Sequence, residues 1–259
     1  MKIINKLAMI SALVVLFACS ENDPEPAFET DLTEITSFSQ DGITITLYAQ
    51  ETFFVGFNAI AAKIERDGSL ISGEATVQPM MQMMEMAHAA PREYVSGMTF
   101  EDGLFEFNVV FVMPSGDMGS WTLNFDVDGT ALSVPVEVVS PDYARMVSFT
   151  SAMDERTRYF VALVSPDEPE VGKNELEIAV YKRASMMDWP AVTDLSFELE
   201  PWMVSMDHGS PNNVAPVHHA DGHYMGEVNF TMTGDWQIRL TAMQGSEVCG
   251  EPYFDIYFQ

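Results

Sequence analysis

The side chains that could do chemistry in this chain are imidazoles and thioethers, and they occur together. The sequence holds five histidines, all in two short stretches. His88 stands in the first stretch, and His208, His218, His219 and His223 stand in the second. Methionine is abundant, at 19 residues, and gathers at the same places. Met80, Met81, Met83, Met84 and Met86 precede His88, Met203 and Met206 precede His208, and Met225 and Met232 follow the later histidines. Thioether sulfur prefers Cu(I), while imidazole binds Cu(I), Cu(II) and Zn(II). Calcium and magnesium require oxygen ligands instead. The combination therefore predicts copper, with Cu(I) favoured. A thioether needs no deprotonation, so such a site works at acidic pH, where thiolates are scarce.

Packing offers a competing account. Methionine is a flexible filler of cores and greasy interfaces, and Met80, Met83, Met84 and Ala87 would share one face of a helical turn. Met206-Asp207-His208 is different, because Gly209, Ser210, Pro211 and Asn212 after it mark a loop. His218 and His219 are adjacent, so on a strand they point to opposite faces and at most one can ligate. His223 opens a strand. A copper site would bring the Met206 sulfur near His208 and one of His218 or His223.

The elements that must position these residues read as strands. Helical periodicity is scarce, and short β-rich runs are broken by Gly, Pro, Asp and Asn, the pattern of an antiparallel β protein. Strands are expected over Ile43–Gln50, Phe53–Ile64, Leu104–Val112, Trp121–Val127 and Leu132–Val139. In the second half they are expected over Tyr159–Ser165, Glu175–Lys182, Leu195–Glu200, Tyr224–Met232, Trp236–Ala242 and Tyr253–Phe258. In Leu104–Val112, Phe105, Phe107, Val109 and Phe111 alternate with Glu106, Asn108 and Val110, which turns an aromatic face inward. Ser140-Pro141-Asp142 reads as a linker.

The halves carry the same landmarks in order. Pro79-Met80, then Met86-Ala87-His88 and Pro91, answer to Pro201-Trp202-Met203, then Met206-Asp207-His208 and Pro211. Gly103-Leu104-Phe105 answers to Gly222-His223-Tyr224, Val112-Met113-Pro114 to Thr231-Met232-Thr233, and Trp121 to Trp236. The expected fold is all-β: two tandem immunoglobulin-like β-sandwich domains, 31–140 and 141–259, with a small barrel as the alternative.

Trp202 through Asn213, followed by His223 through Trp236, resembles the YtkA-like/FixH-like domain family. Its pattern is a Met/His loop, a Gly-x-Tyr strand and then Phe-x-Met-x-Gly-x-Trp. Gly172-Lys173-Asn174-Glu175-Leu176 also fits. The resemblance covers about residues 158–259. It implies an exported or membrane-tethered β-sandwich associated with copper handling and oxidase assembly. It makes Met206 and His208 the leading metal ligands, with Met203, His218 and His223 behind them and Met232 read as core. The first unit follows the family more weakly. It keeps Met86 and His88, has Ala89-Ala90 where the second has Gly209-Ser210, and lacks the later histidines, so a complete site is not expected there.

The N-terminus reads as an export signal. Lys2 and Lys6 precede a mostly apolar run, Leu7 to Phe17, too short to span a membrane but suited to a signal peptide. Leu16-Phe17-Ala18-Cys19 resembles a lipobox. Residues 1–18 would be the lipoprotein signal peptide, Cys19 the acylated first residue and 19–30 an acidic, proline-containing tether. Ser20 to Pro26 resembles the stretch that follows the lipid cysteine in surface-exported lipoproteins of the Bacteroidetes, and it also suits a plain periplasmic spacer. The expected location is the outer membrane, on its periplasmic face or at the cell surface.

A net charge of −27 argues against nucleic acid as a partner. With Cys19 consumed by lipid, Cys249 has no intramolecular disulfide partner and reads as a small buried residue. No nucleophile elbow, phosphate loop or zinc-protease motif appears, so no enzyme is expected. The sequence thus predicts a copper-binding lipoprotein that buffers or hands on copper. Its expected partners are the membrane, through acylated Cys19, and a copper efflux system or oxidase-assembly factor. The alternative is a metal-free interaction module with Met-rich apolar contact loops.

Overall fold

Side-chain alternation builds this protein. In Leu104–Phe111, Phe105, Phe107, Val109 and Phe111 are fully buried while Glu106 is exposed. The structure is a computed structural model and describes residues 31–259. The expected signal peptide, Cys19 and tether lie outside the described residues.

The first half supplies β1 (Thr33–Gln40), β2 (Ile43–Ala49), β3 (Gly56–Arg66), β4 (Ser69–Leu70), β5 (Gly73–Gln82), β6 (Ala87–Ala89), β7 (Arg92–Tyr94), β8 (Thr99–Phe100), β9 (Leu104–Phe111), β10 (Ser120–Val127) and β11 (Thr130–Val136). The second supplies β12 (Met146–Thr150), β13 (Arg158–Ser165), β14 (Gly172–Lys182), β15 (Leu195–Met203), β16 (His208–Gly209), β17 (Val214–Ala220), β18 (His223–Phe230), β19 (Gly234–Gln244), β20 (Glu247–Gly250) and β21 (Tyr253–Phe258). Each half makes a sandwich of two antiparallel sheets. One sheet of the first half runs β1-β2-β3-β9-β7, and its counterpart runs β12-β13-β14-β18-β17. The facing sheets run β11-β10-β5-β6 and β21-β19-β15-β16, so both halves repeat one topology. Asp-Gly pairs with positive φ close several hairpins, as at Asp102-Gly103 and Asp221-Gly222.

The entry to the inner strand is the same in both halves. Asn58 accepts the N–H of Phe54 on Oδ1 at 3.1 Å and donates Nδ2 to the carbonyls of Phe54 (2.9 Å) and Gly56 (2.8 Å). Asn174 accepts the N–H of Glu170 at 2.8 Å and donates to the carbonyls of Glu170 (2.8 Å) and Gly172 (3.0 Å). This side-chain staple explains why the strand expected over Phe53–Ile64 begins only at Gly56, running on to Arg66. Likewise β11 stops at Val136, and Val139 exchanges backbone bonds with Phe53 and Val55 instead.

The helical turn expected from Met80, Met83, Met84 and Ala87 does not form. Ala75–Gln82 is instead laddered against Ser120–Val127, and the sheet overrides local preference. The chain then reverses through Met83–Met86, closed by a 2.8 Å bond from Met83 N–H to the Met86 carbonyl. Met203, read as part of a loop, is the last residue of β15 and is buried.

Each sandwich has its own core. The first is built on Phe53, Phe105, Phe107, Phe111 and Trp121, the second on Tyr224, Phe230, Trp236 and Phe254. Each such ring contributes several kcal/mol, on the order of 3, when buried. Asp31–Gln259 nevertheless form one compact unit. Phe57 and Val110, on the outer face of the first sandwich, pack on Ala162, Ala179 and Tyr181 of the second. Ala89 and Val112 meet Phe160 and Trp189. The burial of Val110, expected on the outward side of its strand, comes from this junction.

Candidate metal centres at matching ends of the two sandwiches

His88 lies on β6, in register with Met81 on β5, which faces Trp121 on β10. His208 lies on β16, in register with Met203 on β15, which faces Trp236 on β19. In both sandwiches the imidazole stands edge-on to that tryptophan, with centroids 5.5 Å apart for His88 and 5.9 Å for His208. The indole N–H of Trp121 donates to the Met113 carbonyl at 2.9 Å, and that of Trp236 donates to the Met232 carbonyl at 2.9 Å. The ends of both sandwiches thus hold the same four residue types: a strand methionine, a histidine, a tryptophan and a second methionine pinned through its backbone.

The hydrogen bonds settle which ring nitrogen is free. Nδ1 of His88 is 2.8 Å from the Ala89 carbonyl, and Nδ1 of His208 is 2.8 Å from the Gly209 carbonyl. A carbonyl only accepts, so Nδ1 carries the hydrogen in both rings, and in neutral imidazole the lone pair is then on Nε2. Fixing the tautomer through the other nitrogen is how metal-ligating histidines are oriented. In the first sandwich Nε2 lies 3.4 Å from the Met113 sulfur. Two donors of one tetrahedral ion, with bonds of about 2.0 and 2.3 Å, stand roughly that far apart. The donor set therefore fits a soft ion.

The two ends differ in exposure. His88 is 7% exposed, walled by Trp121 and by Trp189 of the second sandwich, whose ring centre is 6.2 Å away. Around it the hairpin and the neighbouring turn leave Met84, Met86 and Met118 exposed. His208 is half-buried and Met206, at its hairpin tip, is 57% exposed. Met113 was not foreseen as a partner for His88. Its alignment with Met232 was visible, but the contact depends on the turn between β9 and β10.

The remaining candidates are placed elsewhere. His218 is exposed on β17 beside Tyr224, and His223 opens β18, both on the sheet opposite the one that carries His208. His223 is engaged at both nitrogens: Nδ1 is 2.6 Å from Glu177 and Nε2 is 2.9 Å from Glu93 of the first sandwich. Two carboxylates on one ring leave no lone pair for a metal, which corrects its reading as a ligand. Burial alone would lower the His223 pKa, but the hydrogen bonds and charges of Glu177 and Glu93 raise it to about 9. Burial would also raise Glu93, yet hydrogen bonds from His223, Tyr181 and Asn108 hold it below the usual carboxylate range. Nothing in local sequence announced this junction, because its members are up to 130 residues apart. Among the described residues no group of three or more His, Cys, Asp or Glu is arranged to hold a metal ion. Cys249 is free and buried, and burial pushes its thiol pKa up.

Residues 153–241 match the family model described as YtkA-like. That span contains Met206, His208, His218 and His223. No curated protein matches the chain. Among solved structures, domains 5 and 6 of the S-layer protein SbsC are similar at 12% identity over 87% of this chain and 97% of that one, with a TM-score of 0.29. Invasin, a bacterial integrin-binding protein, is similar at 10% identity over 83% of this chain and 39% of its own, with a TM-score of 0.26. A conserved domain protein from Bacillus anthracis is similar at 11% identity over 87% and 90% of the two chains, with a TM-score of 0.29.

Proposed function

We propose that this protein is an exported lipoprotein that binds Cu(I) at the Met/His ends of its sandwiches and buffers it or hands it on. The observation that carries the reading is the free Nε2 of His88, held 3.4 Å from the thioether of Met113. In the second sandwich His208 offers the equivalent nitrogen, and exposed Met206 is the nearest methionine along the chain. The first sandwich is on this reading a diverged copy of the YtkA-like unit, since topology and register recur around both histidines. Acylated Cys19 would anchor the chain to the outer membrane, in the manner of Bacteroidetes lipoproteins, and a copper efflux system or oxidase-assembly factor would exchange metal with it. No catalytic step is required.

The rival reading, a metal-free contact surface, draws on the same exposed methionines, Met84 above all at 96% exposure. Anaerobic Cu(I) competition titration of the purified protein separates the two. The pairs His88→Ala/Met113→Leu and Met206→Ala/His208→Ala should each remove tight binding capacity. If neither does, the copper reading fails.

A further inference from the structure

The cavity beside His88 has a second chemical character. It measures about 180 Å³ and lies at the junction of the sandwiches. His88 and Met113 come from the first sandwich, while Phe160, Trp189, Arg158 and Arg183 come from the second. Arg158 holds its guanidinium over the Phe160 ring, 5.4 Å from the centroid, and donates to Ser148 Oγ at 2.9 Å. The Arg183 backbone is tied beside it by a 3.1 Å bond from its main-chain N–H to the Arg158 carbonyl. Among the described residues neither guanidinium is paired with a carboxylate, and Asp188, on the same loop, does not line the cavity. A chain with 39 acidic residues has only 12 lysines and arginines, and two of them flank the opening onto a histidine and a thioether.

We propose that Arg158 and Arg183 form a docking site for the carrier that brings copper, and that this carrier is an anionic thiolate complex of Cu(I). This rests on the copper reading above. A Cu(I) ion held by two thiolates bears a net negative charge, so a protein at −27 opposes its approach overall and unpaired local cations ease it. Arginine suits the carboxylates and thiolates of such a carrier because it stays charged and donates in a fixed fork. Delivery is a ligand exchange. Both copper–thiolate bonds break as bonds form to His88 Nε2 and the Met113 sulfur, and the two released thiolates take protons from solvent. Copper remains Cu(I) throughout. Trp189 and Phe160 form an apolar wall beside the exchange.

Loading rates from two donors under anaerobic stopped-flow conditions test this. The Cu(I)–glutathione complex is anionic, and the Cu(I)–acetonitrile complex is cationic. Arg158→Gln/Arg183→Gln should slow loading from glutathione about tenfold and leave loading from acetonitrile unchanged or faster. Arg158→Lys/Arg183→Lys should restore most of the glutathione rate. The single variant Arg183→Gln, at an exposed position, should show a smaller loss in the same direction and keeps the test valid if Arg158 proves necessary for folding. Equal slowing from both donors, or no slowing from either, overturns the docking site while leaving copper binding intact. A wild-type protein that loads from neither donor overturns both readings.

Discussion

His223 on β18 reaches across the sandwich junction and sets its Nε2 2.9 Å from a carboxylate oxygen of Glu93 on β7. Its Nδ1 is held by Glu177, and Tyr181 donates to the same Glu93 oxygen. The side chains of His223 and Glu93 are 15% and 19% exposed, so water screens the pair only in part. The ion pair therefore ties the stability of the packed sandwiches to the protonation of His223 and Glu93.

The sign follows from the shifts. His223 is raised from 6.5 to about 9, so its contribution is complete below about pH 6.5 and is lost as pH rises through about 9. Glu93 is lowered from 4.5, so its contribution is present above that value and is lost as pH falls through the lowered one. The His223 shift corresponds to roughly 3 kcal/mol as an upper figure before screening. Thermal melts should therefore show higher stability at pH 6 than at pH 10, and Glu93→Gln should remove much of that difference. In an NMR titration of the ring, Glu93→Gln should bring the His223 pKa down toward its ordinary value. An unchanged pKa in that variant would show that the contact is not formed in solution.

Met113→Leu tests the thioether without opening a cavity. The exchange nearly conserves volume and should cost less than about 1.5 kcal/mol of stability. Its Cu(I) affinity at the first site should fall by about one to two orders of magnitude, as is common when a metal site loses part of its support. Competition with a chromophoric Cu(I) chelator reads this, and retained affinity would leave His88 without its proposed partner.

Gly119 has φ of +156°, and a Cβ there would stand 2.4 Å from the Gln82 carbonyl oxygen, with the Met81 methyl at 3.1 Å. Gly119→Ala should therefore push on the hairpin that carries Met83, Met84 and Met86, costing about 1–3 kcal/mol. Gly116 in the same turn, with φ of +144°, has open space around its Cβ position, so Gly116→Ala should cost less. Chemical denaturation midpoints of the two variants check the order.

Asn58 and Asn174 make the same three bonds but sit in different surroundings. Asn58 is buried, at 5% exposure, while Asn174 is half-buried. Asn58→Ala leaves backbone groups without partners and should cost about 2–4 kcal/mol. Asn174→Ala should cost less, because water reaches the freed groups. Urea unfolding of both variants measures the difference, and equal losses would contradict it.

Much of the fold was legible because period-two alternation reports directly on which strand face is buried. Phe105, Phe107, Val109 and Phe111 announced both the strand and its inner side. The landmarks shared by the two halves were likewise legible, and Met81/Trp121 and Met203/Trp236 proved to hold the same register. Strands such as β5 were hidden. Its Met-rich end has no β signal of its own, and the ladders with β10 and β6 make it extended. The histidines were easy to find, but their separation was not. Residues close in sequence, His208 and His218, fold into opposite sheets, while His223 and Glu93, far apart in sequence, meet.

Sequence alone determined the residue types: thioethers beside imidazoles, a strongly acidic surface, and alternating patterns that can only be satisfied by packed β-sheets. These are properties of composition and local period, which each segment carries with it. Tertiary structure decided which nitrogen of His88 is free, that Met113 stands against it, that Arg158 and Arg183 from the other sandwich flank its cavity, and that His223 is spent on holding the two halves together. Those relations depend on strand register and on one sandwich docking against another, and no local stretch of sequence encodes either.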